Sequence, residues 1–323
     1  MLFKLHLNFI EDHQKLKRMA SKQEYERIAV VTGANKGIGW EIVRQLATAG
    51  VTVVLTARDK ERGEEATLKL HNLGLTNVVF HQLDVTDPNS ITSLTHFIEA
   101  KFGKLDILVN NAGYDGMLVD KERLKALNIT PQTWKSEAAN LLPRLHDVMK
   151  TTHETAEACL NINYYGAKSV TEAFLPLLEL SAVGARIVNV SSIIGELSRI
   201  PIAQIRNEFA DVETLKEDRI HEILQNFLHH VKQDVLPANG WPSLKPAYGI
   251  SKTALNAYTR LLAKKHQKMY INCVHPGHVD TDLAWHTGPM TPEEGALAPV
   301  KLALLPDGGP TGRFFNEMEE AAF

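Results

Sequence analysis

Cysteine is scarce in this chain, because only Cys159 and Cys273 occur among its 323 residues. Two cysteines cannot form a disulfide framework and lack metal-ligand spacing, so we expect a reducing compartment, the cytoplasm, and no metal. No apolar run is long enough to span a bilayer, so no membrane partner is expected. Charge of one sign is not in excess either, since 35 Lys and Arg face 38 Asp and Glu. The resulting net charge of −3 argues against non-specific electrostatic binding of nucleic acid.

Several catalytic motifs are also missing. The sequence contains no second histidine of a zinc-protease helix, no phosphate-binding P-loop and no nucleophile elbow. Its composition, with 44% hydrophobic and 23% charged residues, is that of a soluble globular protein. We interpret residues 1–26 as a poorly ordered N-terminal extension whose polar residues interrupt any signal-peptide core, and residues 27–323 as one domain.

Short β-branched runs alternate with helical stretches from residue 27 onward. The predicted strands are Ile28–Thr32, Val51–Thr56, Val78–Leu83, Ile107–Val109, Arg186–Val190 and Tyr270–Val274. Between them, apolar residues recur at helical spacing, as at Ile38, Ile42 and Leu46. Nearly continuous apolar strands that alternate with helices predict an α/β fold, a Rossmann-like, doubly wound parallel sheet in which ligands bind at the carboxyl ends of the strands.

A glycine-rich turn joins the first predicted strand to the first predicted helix. It reads Thr32-Gly33-Ala34-Asn35-Lys36-Gly37-Ile38-Gly39. Glycines here allow a tight turn, a close approach of backbone to a pyrophosphate and close packing of helix on strand, while the helix N-terminus supplies positive potential. The position of this turn predicts a dinucleotide site.

From this turn onward the chain resembles the short-chain dehydrogenase/reductase family. The matching features follow in family order over residues 28 to about 282: the T-G-x-x-x-G-x-G turn, Asp84, the run Asn110 to Gly113, Asn163, Ser192, Tyr248-x-x-x-Lys252, Pro276-Gly277 and Thr281. The resemblance implies that Asp84 contacts adenine, that Asn110 lies at the adenosine ribose and that Thr281 lies at the nicotinamide end. The implied cofactor-binding residues are Gly33, Asn35, Lys36, Gly37, Ile38, Gly39, Arg58, Asp84, Val85, Asn111, Ala112, Gly113, Tyr248, Lys252, Pro276, Gly277, Val279 and Thr281.

Charge after the second predicted strand favours NADPH over NADH. Ala57 occupies the position of the acidic residue that holds the ribose hydroxyls in NAD-dependent members of the family. Arg58 offers a planar donor fork for a 2′-phosphate, and Lys36 adds a second positive charge. The alternative is that both are ordinary solvated surface cations.

The predicted catalytic residues are Asn163, Ser192, Tyr248 and Lys252. Tyr248 and Lys252 lie four apart, on one face of a helix, where the ammonium is expected to lower the pKa of the phenol. Ser192, preferred over Ser191 on family alignment, could donate a hydrogen bond to a developing oxyanion. By analogy with the family, Lys252 also holds the nicotinamide ribose and Asn163 holds a water of a proton relay. The resemblance implies that hydride goes to a carbonyl carbon while Tyr248 protonates the oxygen.

Two segments lengthen the chain relative to many members of the family, at about residues 114–155 and 196–245. The second contains an apolar helical stripe, including Ile220, Leu224 and Phe227, with a predicted capping box at Thr214 and Glu217. Such a stripe is more often a packing surface than a ligand contact. With these segments, the chain resembles the plant branch of salutaridine reductases and neomenthol (menthone) dehydrogenases and, more distantly, monomeric carbonyl reductases. The motifs that carry this resemblance are Asn161-Ile162-Asn163-Tyr164-Tyr165-Gly166, Asn239-Gly240-Trp241-Pro242-Ser243 and Leu302-Ala303-Leu304-Leu305-Pro306. In that branch the insertion covers the surface that other members use for tetramer packing, so the resemblance implies a monomer.

The resemblance implies an NADPH-dependent carbonyl reductase of a hydrophobic, terpenoid- or alkaloid-like ketone, reversible as an alcohol dehydrogenase. Two alternatives stay open: an ene-reductase acting on a conjugated enone, and a sensor that binds NADPH without turnover. The intact pair of Tyr248 and Lys252 favours catalysis at a carbonyl. The residues that could shape the pocket are Tyr114, Ile193, Ile194, Gly277, His278, Val279 and Trp285.

Overall fold

The computed structural model describes residues 26–129, 145, 148–242 and 245–323. The predicted N-terminal extension therefore lies outside the described residues, except for Glu26. The strands are β1 (Ile28–Val31), β2 (Thr52–Ala57), β3 (Val78–Gln82), β4 (Ile107–Asn110), β5 (Leu118–Val119), β6 (Met149–Lys150), β7 (Arg186–Val190), β8 (Tyr270–His275), β9 (Phe314–Asn316) and β10 (Glu319–Ala321). The helices are α1 (Gly37–Thr48), α2 (Lys60–Asn72), α3 (Pro88–Phe102), α4 (Lys121–Ala126), α5 (His153–Leu160), α6 (Ala167–Leu178), α7 (Ala203–Ala210), α8 (Glu217–Lys232), α9 (Pro246–Lys265) and α10 (Pro292–Ala303).

The central sheet has eight strands in the order β10-β9-β8-β7-β4-β1-β2-β3. All neighbouring pairs are parallel except β9 and β10, which are antiparallel. The six predicted strands are all present, and their ends differ from the prediction by at most one residue. The chain thus folds as the predicted Rossmann-like α/β domain, with the order reversing beside β1, where such sheets bind ligands.

Both faces of the sheet are covered, and β1 shows how one strand supplies both cores. Ile28 and Val30 join the apolar cluster that includes α3, α6 and α9, whereas Ala29 and Val31 join the cluster that includes α1, α2 and α10. All four side chains are at most 2% exposed. Successive side chains of a strand point to opposite faces, so a strand buried on both faces is apolar throughout, as the sequence pattern predicts.

The two long segments add structure around the carboxyl end of the sheet. The first contains the antiparallel pair of β5 and β6, and the second contains α7 and α8. Residues 130–144, 146–147 and 243–244 of these segments lie outside the described part. Ile220, Leu224 and Phe227 of α8 are buried in the same core as α5 and α9, so this stripe is a packing surface.

The predicted capping box before α8 is wrong. The helix begins at Glu217, its N-cap residue is Lys216, and no side chain caps it. The Thr214 hydroxyl instead donates to Asp211 Oδ2 at 2.6 Å. The hydroxyl that the sequence pattern predicted to cap the helix is therefore bonded to a nearby carboxylate.

The described residues include no helix that is both long and apolar enough to cross a membrane. Cys159 and Cys273 are both free thiols and both buried. Within the same residues, no cluster of His, Cys, Asp and Glu could hold a metal ion.

Candidate active site

A cleft of about 1340 Å³ opens at the carboxyl ends of the parallel strands. Pockets for a single small ligand usually measure roughly 300–1,000 Å³, so this cleft has room for a dinucleotide together with a second molecule. All the residues predicted to bind the cofactor line it, as do Ser192 and the predicted pocket residues. We call the part lined by Gly33 to Gly39 and Arg58 the turn end, and the part lined by Tyr114, Leu145, Lys245 and Trp285 the insertion end.

The glycine-rich turn has the shape that a pyrophosphate requires. Gly33 adopts φ +62°, and a Cβ at this residue would lie 2.8 Å from Ala112 Cα. A Cβ on Gly39 would lie 2.7 Å from the Gly33 carbonyl oxygen. Because α1 begins at Gly37, its free backbone N–H groups point into the cleft. The absence of side chains therefore leaves a cradle that fits the phosphates of a dinucleotide.

Asn111, and not Asn110, is the asparagine that lines the cleft. The Asn111 amide donates to the carbonyl oxygens of Thr32 at 2.9 Å and Gly33 at 3.0 Å, which holds the end of β4 against the turn. The Asn110 amide is buried and donates to Thr171 Oγ1 and Asn189 Oδ1. The expectation that Asn110 lies at the adenosine ribose is therefore corrected, because β4 directs its side chain into the core.

The turn end presents the two predicted cations, Arg58 and Lys36, and a third, Arg62. Arg58 directly follows β2, and its carbonyl oxygen accepts a hydrogen bond from Gln82 at 2.9 Å, which fixes the backbone. Lys36 forms an ion pair with Asp282 across the cleft. Asp84 accepts hydrogen bonds from the Thr86 N–H and hydroxyl at 2.9 and 2.7 Å. Arg62, which the sequence reasoning missed, also lines the cleft one helical turn after Arg58.

Ser192, Tyr248 and Lys252 meet in the middle of the cleft. Ser192 lies just beyond the end of β7, and Tyr248 and Lys252 lie one turn apart near the start of α9. The Lys252 ammonium donates to the Val190 carbonyl oxygen at 2.7 Å and lies 5.6 Å from the centre of the Tyr248 ring. The neighbouring Ser191 hydroxyl is already committed to Asn256 Oδ1 at 2.6 Å, which leaves Ser192 as the serine facing the phenol.

Burial controls the proton affinities of this group. It raises the pKa of Tyr248, and a hydrogen bond with Ser192 only partly opposes the increase. Burial also lowers the pKa of Lys252 to about 8. The expected lowering of the Tyr248 pKa is therefore wrong, because desolvation of the phenolate raises this pKa by more than the Ser192 hydrogen bond lowers it. At neutral pH, Tyr248 is a phenol with a proton to donate.

Asn163 lies behind the cleft wall in a π-helical turn, Asn161–Gly166, between α5 and α6. Its Oδ1 accepts from the Tyr114 N–H at 2.8 Å, and its Nδ2 donates to the Tyr114 carbonyl oxygen at 2.9 Å and to Ser251 Oγ at 3.0 Å. Ser251 in turn donates to the Tyr248 carbonyl oxygen at 2.8 Å. Asn163 thus ties the start of α9 to the loop after β4.

Comparison with known proteins is consistent with this geometry. Residues 27–203 match the family model described as short chain dehydrogenase. The chain belongs to the short-chain dehydrogenase family. It is 50% identical over 300 residues to salutaridine reductase of Papaver bracteatum, covering 92% of this chain and 96% of that protein. It is 46% identical over 305 residues to (+)-neomenthol dehydrogenase of Arabidopsis thaliana, covering 93% and 99%.

The similarity to this branch of the short-chain dehydrogenase family extends to solved structures. Salutaridine reductase from Papaver somniferum superimposes with a TM-score of 0.84 at 47% identity, covering 90% of this chain and 100% of that one. Carbonyl reductase [NADPH] 1 of Rattus norvegicus is more distant, at 35% identity over 300 residues, with 90% and 96% covered. The predicted resemblance to the plant branch, and at lower identity to carbonyl reductases, is confirmed.

The insertion end of this short-chain dehydrogenase contains polar residues that sequence reasoning missed. Lys245 precedes Tyr248 by three residues, and its ammonium lies 3.9 Å from the centre of the Trp285 ring. Asp115 is buried, and burial raises the pKa of its carboxyl group. The proximity of Lys245 to the tyrosine was a visible signal, but its contact with Trp285 joins residues forty positions apart and was not.

Proposed function

We propose that the chain is an NADPH-dependent reductase of ketones, with Tyr248 as the proton donor and reversible action as an alcohol dehydrogenase. The observation that carries the proposal is the pairing of a neutral, buried Tyr248 phenol with Ser192 and Lys252 in a cleft that fits a dinucleotide. A bound reduced nicotinamide supplies the hydride for the carbonyl carbon. Membership of the short-chain dehydrogenase family supports the same reaction class.

Each side chain has a separate task at the carbonyl oxygen. The Tyr248 O–H donates its proton to that oxygen as negative charge develops on it, and Ser192 donates a second hydrogen bond that orients it. Lys252, held by the Val190 carbonyl oxygen, places a positive charge beside the phenolate that remains. Asn163 acts as a positioning residue through Tyr114 and Ser251, and we retain the water relay at Asn163 as part of the proposal.

NADPH is favoured over NADH by the residues that follow β2. Ala57 supplies no carboxylate to repel a 2′-phosphate, and Arg58 lines the cleft beside it. Among the described residues, no carboxylate forms an ion pair with Arg58, whereas Arg62 lies 3.5 Å from Asp59. Arg58 therefore has its donors available for a phosphate. A relative named carbonyl reductase [NADPH] 1 supports the same choice.

The substrate we propose is a hydrophobic ketone of the terpenoid or alkaloid type. The apolar residues Leu145, Ile193, Ile194 and Leu283 line the same cleft as Tyr248. Relatives that are named for salutaridine and for neomenthol support this substrate class. An ene-reductase or a non-catalytic NADPH sensor remains as an alternative, but the position of Tyr248 beside Ser192 favours carbonyl reduction over both.

The test is NADPH consumption with menthone, an alkaloid ketone, an aromatic aldehyde and a cyclic enone, followed by chromatography of the products. The proposal expects an alcohol from at least one ketone. A saturated ketone from the enone, with its carbonyl intact, would identify an ene-reductase instead. Binding of NADPH with no product from any of the four compounds would favour the sensor.

We also propose that the protein acts as a monomer in the cytoplasm. The apolar stripe of α8 is buried against α5 and α9, so it does not present a surface to a second copy. Light scattering should give a mass near 36 kDa. A value near twice that mass would contradict the proposal.

A further inference from the structure

Lys245 is held in an unfavourable backbone conformation beside the catalytic tyrosine. Its φ is +46°, in the left-handed region, and Trp285, whose ring it contacts, has φ +52°. Residues with a Cβ rarely adopt this region, and such backbone strain clusters at functional sites. Two strained residues that contact each other in a cleft therefore invite a functional explanation.

The Lys245 ammonium has unused hydrogen-bond donors. It lies 3.9 Å from the centre of the Trp285 ring and 5.7 Å from the centre of the Tyr248 ring. Within the described residues, no oxygen accepts a hydrogen bond from it, and no carboxylate lies within ion-pair distance. An ammonium carries three N–H donors, and aromatic faces satisfy its charge only in part.

The Asp115 carboxylate partly balances the positive charge of Lys245 but does not form an ion pair with it. The carboxylate accepts from the Met117 N–H at 3.2 Å, and the Trp285 side chain lies beside it. Asp115 and Lys245 thus both neighbour Trp285 at the insertion end. Burial lowers the pKa of Lys245 to about 8, and the charge of Asp115 opposes that decrease, so Lys245 is positively charged at neutral pH.

His278 faces the same space and does not compete for an anion. Its Nε2 lies 3.1 Å from Thr287 Oγ1. Burial and the positive charge of Lys245 lower its pKa, which keeps the imidazole neutral at pH 7. Lys245 is therefore a cation available to a substrate that reaches the insertion end.

We propose that Lys245, positioned by Trp285 and Asp115, binds an anionic oxygen group of the substrate, so that the preferred substrate is a ketone that also carries a carboxylate. This inference rests on the proposed ketone reductase function and names its substrate class more narrowly. An apolar scaffold fits the surrounding Leu145 and Ile194, while the carboxylate pairs with the ammonium. The pairing supplies the hydrogen-bond acceptor that the chain itself does not provide.

The test compares matched ketones that differ only at this group. The probes are 3- and 4-oxocyclohexanecarboxylate and the corresponding 3- and 4-methylcyclohexanones, measured as kcat/KM with NADPH. A hydrogen bond to a charged group contributes about 1.5–3 kcal/mol, which corresponds to roughly ten- to a hundredfold in selectivity. We expect the wild type to prefer at least one carboxylate by that ratio, mainly through KM.

Two variants probe the ammonium. Lys245→Met keeps the side-chain stem on Trp285 and the backbone strain, while Lys245→Gly relieves the strain, so folding is retained in at least one of them. Both should reduce the carboxylate-to-methyl ratio to near one. Lys264→Met, at an exposed lysine near the end of α9, is the control and should keep the wild-type ratio. Equal losses on both ketones would show that Lys245 acts on Tyr248 and would overturn the proposal.

A binding measurement separates this proposal from the reductase function. Cyclohexanecarboxylate is titrated into the protein with NADP⁺ while tryptophan fluorescence is recorded, and Trp285→Phe identifies the signal of Trp285. Affinity should fall roughly tenfold or more in Lys245→Met. If this holds although no ketone is reduced, the subsite stands and the proposed reductase function fails. Unchanged affinity in Lys245→Met would refute the subsite even if neutral ketones are reduced.

Discussion

The turn end of the cleft is built from backbone, whereas the insertion end is built from side chains of three separate segments. At the turn end, Gly33 and Gly39 matter because they lack side chains, and consecutive residues form the phosphate cradle, to which the Arg58 side chain is added from the end of β2. At the insertion end, Asp115, Lys245 and Trp285 come together only in the folded chain. Tyr248 and Ser192 lie between the two. Changes at the turn end should therefore alter use of the cofactor, and changes at the insertion end should alter the choice of substrate.

The largest effect is expected from Tyr248→Phe, in the middle of the cleft. Removing the proton donor should reduce kcat by roughly 10²–10⁴-fold while cofactor binding persists. Tyr258→Phe on the same helix is the matched control, because within the described residues the Tyr258 hydroxyl is buried with no hydrogen-bond partner. Turnover should be near wild type in the control. Similar losses in both variants would mean that any hydroxyl removed from α9 disturbs the fold.

The second effect tests the backbone construction of the turn end. Gly33→Ala should lower the free energy of unfolding by roughly 2–4 kcal/mol and weaken NADPH binding, because its Cβ would collide with Ala112 in addition to straining φ. Gly50→Ala has the same kind of positive φ but open space around it, so it should cost only about 1 kcal/mol. Denaturant unfolding and NADPH titration measure both. Equal costs at the two sites would contradict a close backbone approach at Gly33.

The third effect concerns cofactor choice. Arg58→Ala should raise KM for NADPH roughly ten- to a hundredfold and leave KM for NADH nearly unchanged, because only NADPH carries the 2′-phosphate. Arg62→Ala removes the same charge nearby, but Arg62 already lies against Asp59, so the effect should be smaller. If Arg62→Ala has the larger effect, the phosphate contact belongs to Arg62.

The smallest effect is a pH-dependent stability difference at Lys252. Below pH 8 the buried ammonium is charged, and burying this charge destabilises the folded state. Lys252→Met removes that cost but also loses the hydrogen bond to the Val190 carbonyl oxygen, so the variant should be more stable than the wild type by about 1–2 kcal/mol. The same substitution abolishes activity. Between about pH 8 and the ordinary lysine value of 10.5, the unfolded chain holds the proton that the folded chain has released. The wild type therefore gains stability as pH rises through this window, and the advantage of the variant shrinks.

Unfolding in urea at pH 7, 8, 9 and 10 measures the difference between wild type and Lys252→Met. Lys264→Met, at an exposed position of α9, is the control for loss of a lysine from this helix, and the variant at the buried Lys252 should show the larger change with pH. A constant difference for Lys252→Met would show that the ammonium is not desolvated in the folded state.

The predictable part of the molecule is the part governed by local sequence. Strands buried on both faces are apolar throughout, so their ends are predicted to within one residue, and the turn is predicted because only glycine suits its backbone. The wrong expectation for Asn110 also follows from the local geometry of a strand. Adjacent strand residues point to opposite faces, and the sequence does not show which asparagine of the pair faces the cleft.

The parts that could not be predicted depend on contacts between distant residues. One exception is local: the hydroxyl of Thr214 bonds Asp211, three residues earlier, instead of capping α8, because two local motifs compete for it. The pKa of Tyr248 depends on how much surrounding protein excludes water, which no spacing reveals. Lys245 and Trp285 occupy left-handed backbone conformations that favour glycine, so their residue types did not predict these conformations.

The π-helical turn at Asn161–Gly166 has a consequence for the phase of the helices that it joins. A π turn closes its hydrogen bonds one residue later than an α turn, so it takes up one extra residue between α5 and α6. Deleting one residue within this turn should therefore give a continuous α-helix in which Val170 and Phe174 still face the core. The change would fall on the turn itself, which contains Asn163 and its contacts with Tyr114 and Ser251.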